Sequence, residues 1–356
     1  MNNKQIILII FILTLGWLFL PGCSTIEETD PVTTTLSTTT TTSTTTTTTS
    51  TTTTTIAPGV VWTQAAISEG NARFYHSGVT YEGKMWVFGG YGTPPKNDVY
   101  SSTDGVTWTQ ATATANWSAR WGHSSVVHDG KMWIMGGVDD WTDASDYNND
   151  VWYSTDGITW TQATAAAGWT ARFGHASVVY NGKMWVMGGY NKTGNTYSRY
   201  NDAWYSTDGI AWTEAASNNI WASRVDHTAV VFDNKMWVLG GKSNANIMRG
   251  DAYYSTDGAN WTSATANAFP ERRNHASVVY DNKMWVIAGR DEFSGPVYKN
   301  DVWSSVDGIT WTEVTREAGF SARYGTSGVV FDNKIWLVGG YDGTTIHYEA
   351  WYTPAE

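Results

Sequence analysis

A long segment recurs six times along this chain, and no other feature constrains the fold as strongly. The string RWGHSSVVHDGKMWIMGG, from Arg120 to Gly137, returns nearly unchanged as RFGHASVVYNGKMWVMGG, from Arg172 to Gly189. The copies are spaced by 47, 52, 52, 48 and 51 residues and begin at Arg73, Arg120, Arg172, Arg224, Arg272 and Arg323. A period near 50 residues is typical of β-propellers, in which each repeat forms one four-stranded blade.

Each copy divides into four predicted strands, a to d. In the second copy, strand a follows Arg120 and ends at the turn Asp129-Gly130, whose residue types tolerate a positive φ. Strand b is apolar almost throughout, as expected for a strand buried on both faces. It ends in two glycines, and because Ala288 replaces the first of them in the fifth copy, we expect that position to need smallness more than positive φ. A variable loop, strand c, a Ser-Thr-Asp-Gly turn and a Trp-Thr strand d follow.

The double glycine after strand b, the aromatic residue downstream and the regularly spaced tryptophans resemble the kelch family. The resemblance covers about 295 of the 356 residues and implies a closed ring of four-stranded blades. The sixth copy stops after strand c at Glu349–Tyr352, whereas a spare Trp-Thr strand, Val61–Gln64, precedes the first copy. The sequence therefore predicts an all-β, six-bladed kelch-type propeller over residues 57–356, closed by the N-terminal strand and monomeric, since closure removes free sheet edges.

The N-terminal 56 residues carry different signals. An apolar run from Ile6 to Leu20 stops just before Cys23, the only cysteine, and this resembles the signal and lipidation site of bacterial lipoproteins. The alternatives are an ordinary signal with an incidental cysteine, or an uncleaved anchor. Residues 33–55 are Thr and Ser with one Leu, a composition typical of disordered stalks. We expect a signal over 1–22, a lipid-anchored stalk over 23–56, and a place in the cell envelope, at the surface or in the periplasm.

Charge and cysteine content exclude some partners and reactions. The chain has a net charge of −11, which argues against nucleic acid and against membrane attachment other than through the lipid anchor. The kelch-like galactose oxidases use copper and a Tyr–Cys crosslink, and the predicted propeller has no cysteine to supply one. No cofactor is expected, except that Ca²⁺ is a weak candidate for an acidic loop formed by Asp139, Asp140, Asp143 and Asp146.

The variable b–c and d–a loops are predicted to share one face of the propeller, and binding residues commonly lie on such loops. Aromatic side chains suit stacking on sugars or anchoring a protein. The predicted function is a binding module for carbohydrate or a protein partner on that face. The predicted ligand-binding residues are Trp121, Trp141, Phe74, Phe173, Tyr324 and Arg273.

Residues that recur in every copy are better explained by structure. The repeat arginines match six acids of strand c and are expected to form buried pairs, although a cationic ring for anionic sugars is the alternative. Five repeat histidines are expected to be structural, and the aromatic residue three positions before five of the arginines is expected to pack between blades.

Two further functions remain open. Sialic acid mutarotases are six-bladed kelch proteins of the envelope, and that resemblance implies a sugar-modifying enzyme. Its candidate catalytic residues here are Glu292, Asp291, Arg290 and His347, none of which belongs to the repeat. The other function is a structural adhesin that makes contacts with its own copies.

Overall fold

The computed structural model describes residues 61–65, 72–140, 146–194, 196–215, 221–292, 295 and 297–354. The predicted signal, Cys23, the Thr-rich tract, Trp141 and Asp143 lie outside the described residues. Within the described ranges there is no α-helix and no helix long and apolar enough to cross a bilayer. A short 3-10 helix spans Asn244–Asn246.

Strands a and b of each copy form hairpins. Strand a contains β-branched residues, and in the third copy its positions alternate between buried and half-buried. Strand b of that copy is buried over eight residues from its second residue onward, as its apolar composition predicts. The a strands are β2 (Ser77–Tyr81), β6 (Ser124–His128), β10 (Ala176–Tyr180), β15 (Thr228–Phe232), β19 (Ala276–Tyr280) and β25 (Ser327–Phe331). The b strands are β3 (Lys84–Gly90), β7 (Lys131–Val138), β11 (Lys183–Thr193), β16 (Lys235–Ser243), β20 (Lys283–Ile287) and β26 (Lys334–Val338).

Strands c and d lie farther out in each sheet. The c strands are β4 (Lys96–Ser102), β8 (Tyr147–Ser154), β12 (Thr196–Ser206), β17 (Met248–Ser255), β23 (Val302–Ser305) and β27 (Ala350–Tyr352). The d strands are β1 (Thr63–Ala65), β5 (Thr109–Thr112), β9 (Thr161–Thr164), β13 (Thr213–Glu214), β18 (Thr262–Thr265) and β24 (Thr312–Thr315). Three short strands lie in loops, namely β14 (Arg224–Val225), β21 (Arg290–Asp291) and β22 (Val297–Tyr298).

The sheets give a β-propeller-like arrangement. Among the described residues, four separate sheets have four antiparallel strands each: β2-β3-β4-β5, β6-β7-β8-β9, β19-β20-β23-β24 and β1-β27-β26-β25. A nine-stranded sheet contains two further four-stranded sets, β10-β11-β12-β13 and β15-β16-β17-β18, which β14 joins. The N-terminal strand β1 pairs with β27, with Thr63 opposite Tyr352, and it begins two residues later than the predicted Val61.

The Ser-Thr-Asp-Gly turn between strands c and d is held by its own side chains. The amide of Gly105 donates to Ser102 Oγ at 2.8 Å, and the amide of Val106 donates to Asp104 Oδ1 at 2.8 Å. Gly105 has a φ of +74°, and a Cβ there would lie 2.1 Å from the ring of Trp336. The glycine is therefore needed both for its backbone conformation and for close packing of the first copy on the last.

The tryptophans and phenylalanines before the repeat arginines pack between sheets, which confirms that prediction. Trp117 is 1% exposed and meets Trp160 edge to face, with ring centroids 6.0 Å apart. It belongs to a core cluster that includes Phe88 of the preceding copy and Ile134 of its own copy. The same contact recurs as Trp169–Trp212, Trp221–Trp261, Phe269–Trp311 and Trp62–Phe320.

The repeat arginines form the expected buried ion pairs. Each guanidinium is at most 2% exposed, and in the first copy both nitrogens of Arg73 bond the carboxylate of Asp98, at 2.7 and 3.1 Å. Arg73 Nη1 also donates to the Gly89 carbonyl at 2.8 Å, so the pair ties strand c to the end of strand b. The pairs are Arg73–Asp98, Arg120–Asp150, Arg172–Asp202, Arg224–Asp251, Arg272–Asp301 and Arg323–Glu349.

The prediction about the first glycine after strand b was wrong in one respect. All six residues at this position have a positive φ, between +49° and +63°, and Ala288 itself has a φ of +60°. Small size matters as well, because a Cβ on Gly188 would lie 2.7 Å from Cε1 of His227 in the next copy. Ala288 is the one residue at this position that is not glycine. The copy that follows it is the one in which Thr326 replaces the histidine. The position therefore requires positive φ, and the neighbouring histidine decides whether a methyl group fits.

Candidate functional site

A circle of backbone hydrogen bonds surrounds the axis on the side of the d–a loops. The residue two positions after each repeat arginine donates its amide to the carbonyl of its counterpart in the preceding copy, for example Gly122 to Tyr75 at 2.8 Å. The amide of Tyr75 in turn donates to Gly325 at 2.8 Å, so the six bonds form a closed circle. All six residues have a positive φ, between +54° and +67°. Where these residues have side chains, the side chains face one another across the propeller axis.

The circle encloses one end of a channel along the propeller axis. Three of its six positions are glycine and three are not, so this end of the channel is asymmetric. The exceptions are Tyr75, Asp226 and Asn274, and the Tyr75 hydroxyl donates to Asn274 Oδ1 at 3.2 Å across the axis. Burial and the nearby Asp226 carboxylate raise the pKa of Tyr75, so its hydroxyl stays protonated. Below them the five repeat histidines and Thr326 surround a cavity of about 140 Å³.

The five histidines are buried and neutral. Burial, reinforced by the repeat arginines, lowers the pKa of His76, His175 and His275 to about 3. His175 Nε2 lies 2.8 Å from Ser124 Oγ, and His275 Nε2 lies 2.8 Å from Thr228 Oγ1. These contacts agree with the structural role that the sequence predicts for the repeat histidines.

A second, larger cavity of about 430 Å³ opens beside the channel on the face of the b–c and d–a loops. This volume lies within the usual range of small-ligand sites, about 300–1,000 Å³. Its walls come from the third, fourth and fifth copies, and we call it the cationic pocket. It is lined by Phe173, Tyr190, Tyr197, Arg199, Val225, Asp226, Asn246 and Arg273.

A network of charged side chains extends from Arg273 and Asp226, which line the cationic pocket, to residues beside it. Arg273 Nη1 bonds Asp226 Oδ2 at 2.7 Å, and its other terminal nitrogen bonds Glu292. Glu292 also pairs with Lys242 at 2.7 Å and with Arg290 at 3.2 Å. Although burial opposes the charged form, hydrogen bonds from Lys242 and Arg273 lower the pKa of Glu292 to about 2. Glu292 is therefore a carboxylate saturated by three cations.

The opposite side of the cationic pocket combines Arg199 with two tyrosines. Tyr197 is 61% exposed and stacks on Tyr190, with ring centroids 5.9 Å apart and planes 18° apart. Arg199 lies over the Tyr190 ring at 5.9 Å and donates to Asn246 Oδ1 at 3.2 Å. Burial lowers the pKa of Arg199, but its ordinary value is so high that it stays charged.

The ligand-binding residues predicted from sequence fall into two groups. Phe173 and Arg273 line the cationic pocket. Trp121, Phe74 and Tyr324 are 4%, 9% and 6% exposed and pack in aromatic clusters. Trp121 meets Tyr91 edge to face at 5.1 Å, Phe74 stacks on Tyr341, and Tyr324 stacks on Tyr298 while Arg290 lies 4.1 Å above its ring. Protein neighbours therefore occupy the ring faces of these three residues.

The four candidate catalytic residues do not converge. Arg290 and Asp291 form β21, and Arg290 and Glu292 belong to the charged network. His347 instead bonds residues of the last copy, with Nε2 2.9 Å from Asp342 Oδ2 and Nδ1 3.0 Å from Glu349 Oε1. A carboxylate held ionised by three cations is a weak proton acceptor, so Glu292 is poorly suited to general acid–base chemistry near neutral pH.

The described part of the acidic loop is organised by hydrogen bonds. Asp139 Oδ1 accepts from Ser118 Oγ at 2.8 Å and from Asn148 Nδ2 at 2.7 Å. Among the described residues, no group of three or more His, Cys, Asp or Glu side chains has a geometry that fits a metal ion. Asp139, Asp140 and Asp146 are therefore not brought together as a Ca²⁺ site.

The ligand-binding residues predicted from sequence do not include Asp226, Asn246 or Tyr197. One signal was present in the sequence, since Asp226 stands where three other copies have glycine. Tyr197 lies in the long β11–β12 hairpin and Asn246 in the short 3-10 helix between β16 and β17, both where the copies vary, so only the coordinates place them in the cationic pocket.

A family profile matches most of the chain. The profile of the KLHDC2/KLHL20/DRC7 kelch-repeats domain matches residues 38–241 and 226–354. No curated protein matches the chain.

Proposed function

Since this chain belongs to the kelch-repeat family, whose propellers are commonly binding modules, we propose that it binds carbohydrate in the cationic pocket. The observation that carries the proposal is Tyr197, an exposed ring stacked on Tyr190 beside convergent polar groups. An exposed tyrosine face suits the apolar face of a sugar, and the polar groups suit its hydroxyls. A rigid strand framework holds all of these groups, so little entropy is lost on binding.

The proposed scaffold is a six-bladed ring closed by the N-terminal strand. Three observations support it. Strand β1 pairs with β27, the a strands pack side by side in the order β2, β6, β10, β15, β19, β25 and back to β2, and the backbone circle joins the first copy to the last. A closed ring has no free edge strands, which favours the monomeric state expected from sequence.

The proposed location is the cell envelope, with the propeller held on a lipid-anchored stalk. Cys23 as the lipidation site, the signal over 1–22 and the stalk over 23–56 rest on the sequence alone. Strand β1 starts at Thr63 on the end of the sheet where the c–d turns lie. Thr63 and the cationic pocket therefore lie on opposite faces of the propeller.

A protein ligand is the second candidate, because kelch propellers generally bind protein partners. An envelope sugar-modifying enzyme is a weaker proposal, since Glu292 is saturated by cations and His347 bonds other residues.

The test is a glycan array with the full chain, followed by titration calorimetry on each hit. We expect sugar binding that Tyr197→Ala weakens by about tenfold, the loss of one stacking contact. Tyr91→Ala is the matched control, because Tyr91 is also an exposed tyrosine on a b–c loop but does not line the cationic pocket. Capture of a protein with no sugar bound would favour the second candidate instead.

A further inference from the structure

The charge of the cationic pocket is opposite to that of the whole protein. Among its lining residues Arg199 and Arg273 are cationic and Asp226 alone is anionic, which leaves +1. The adjacent Glu292 with its partners Lys242 and Arg290 adds a further +1, so the cluster as a whole carries a net charge of +2. The chain as a whole carries −11. Clustered partly buried cations repel one another and lose hydration, so a local excess is unfavourable unless a ligand offsets it.

Arg199 is the cation that lacks a carboxylate partner. Among the described residues it forms no ion pair, and its one hydrogen bond is to the neutral amide of Asn246 at 3.2 Å. Its Nε is buried and has no acceptor. By contrast, Arg273 and Arg290 both pair with Glu292. The guanidinium of Arg199 therefore remains open to an anionic group inside the pocket.

Asp226 supplies a complementary feature. Its side chain is 2% exposed, Oδ2 bonds Arg273, and Oδ1 has no donor. Gly174 makes room for this oxygen, since a Cβ there would lie 2.6 Å from Asp226 Oδ1. A buried carboxylate oxygen without a donor costs free energy, which a hydroxyl of a bound ligand would recover.

We propose that the ligand is an acidic sugar of the uronic type. The carboxylate of the sugar pairs with Arg199, and one of its hydroxyls donates to Asp226 Oδ1. The ring of Tyr197 stacks on the apolar face of the sugar ring. The inference deepens the proposed function and depends on it. A purely neutral sugar would leave Arg199 without an anion, and an anion without hydroxyls would leave Asp226 Oδ1 without a donor.

The experiment titrates the full chain at low salt with oligogalacturonate, with a neutral galacto-oligosaccharide of the same length, and with an acidic peptide. We expect the uronate to bind at least about tenfold more tightly than the neutral oligomer, a preference that shrinks as salt screens the charges. Arg199→Gln should bring the two sugar affinities together. Asp226→Asn should weaken binding of the neutral oligomer by up to about tenfold, because a hydrogen bond to a charged group becomes one to a neutral amide. For the uronate, the added positive charge should offset part of that loss.

Two further variants separate charge effects from structural damage. Glu292→Gln raises the net charge of the cluster to +3, so it should tighten uronate binding, a gain that misfolding cannot produce. Arg249→Gln removes an arginine of β17 that bonds Ser243 and does not line the pocket, so it should leave the uronate affinity unchanged. If Asp226→Asn fails to fold in a thermal melt, the Arg199 and Glu292 variants still decide the outcome.

The other outcomes of these titrations distinguish failure of the inference from failure of the proposed function. Equal affinities for uronate and neutral sugar would overturn the inference and leave the proposed function standing. Binding of neither sugar would overturn both. Binding of the acidic peptide without uronate would replace the sugar by a protein ligand of the same charge.

Discussion

Gly188 should accept alanine only if His227 of the next copy is shortened. A methyl group on Gly188 would lie 2.7 Å from His227 Cε1, and the residue has a φ of +58°. The left-handed backbone costs an alanine about 1–2 kcal/mol, and the overlap adds about 1–3 kcal/mol. Gly188→Ala alone should therefore lower the free energy of unfolding by about 2–5 kcal/mol. The chain already contains the compensated combination, Ala288 followed by Thr326.

The matching change is His227→Thr, which removes ring contacts with Trp221 and should cost about 1–3 kcal/mol alone. In the double variant the overlap disappears while the backbone cost remains. The loss in the double variant should then fall short of the sum of the two single losses by the overlap term, about 1–3 kcal/mol. Urea unfolding of the four proteins measures this coupling, provided that the slopes of the transitions agree.

The control for this cycle is Gly189→Ala. That glycine has a φ of +100°, and a Cβ there would meet Cβ of His175 at 2.9 Å and the Phe173 carbonyl at 3.0 Å. His227→Thr removes neither contact, so it should not rescue this variant. Additive losses for Gly188 and His227, within about 0.5 kcal/mol, would refute the steric argument and leave backbone strain as the whole cost.

Three further predictions concern stability. Asp202→Asn leaves the fully buried Arg172 without its anion and should lower the free energy of unfolding, measured by urea denaturation, by about 3–5 kcal/mol. Asp129→Asn, which removes the anion of an exposed ion pair, should change it by less than about 1 kcal/mol. The repeat histidines take up protons in the unfolded chain below about pH 6.5 but resist protonation in the fold. Stability should therefore fall as the pH drops from about 6.5 toward 3, by at most about 1.4 kcal/mol per pH unit for each histidine, and His275→Gln should flatten that slope. Tyr100 lies beside a small cavity, and four other copies have tryptophan at its position. Tyr100→Trp should therefore raise the midpoint of thermal unfolding. A lower midpoint would show that the cavity has no room for the larger side chain.

The strands, turns and ion pairs were predictable because each of their signals occurs several times. The turn residues Asp281 and Asn282 have the positive φ that their types suggest, and Arg172 pairs with Asp202 as the matching positions indicate. The binding residues were less predictable, because exposure depends on neighbours far away in sequence. Trp121 is as aromatic as a sugar site requires, yet the loop residue Tyr91 covers its ring. No local pattern in the sequence distinguishes a covered tryptophan from an open one.

The backbone circle around the propeller axis explains how polar side chains can gather on one side of a repetitive scaffold. The backbone circle requires only that six residues have a positive φ, and Asp and Asn meet that requirement at little cost. Asp226 and Asn274 can therefore replace glycine and bring polar side chains to the end of the channel without breaking the circle. Tyr75 is the costlier replacement, since bulky residues seldom adopt this conformation, and its bond to Asn274 helps to hold it there. A charged site can thus develop where the backbone tolerates substitution, while the repeated residues around it stay unchanged.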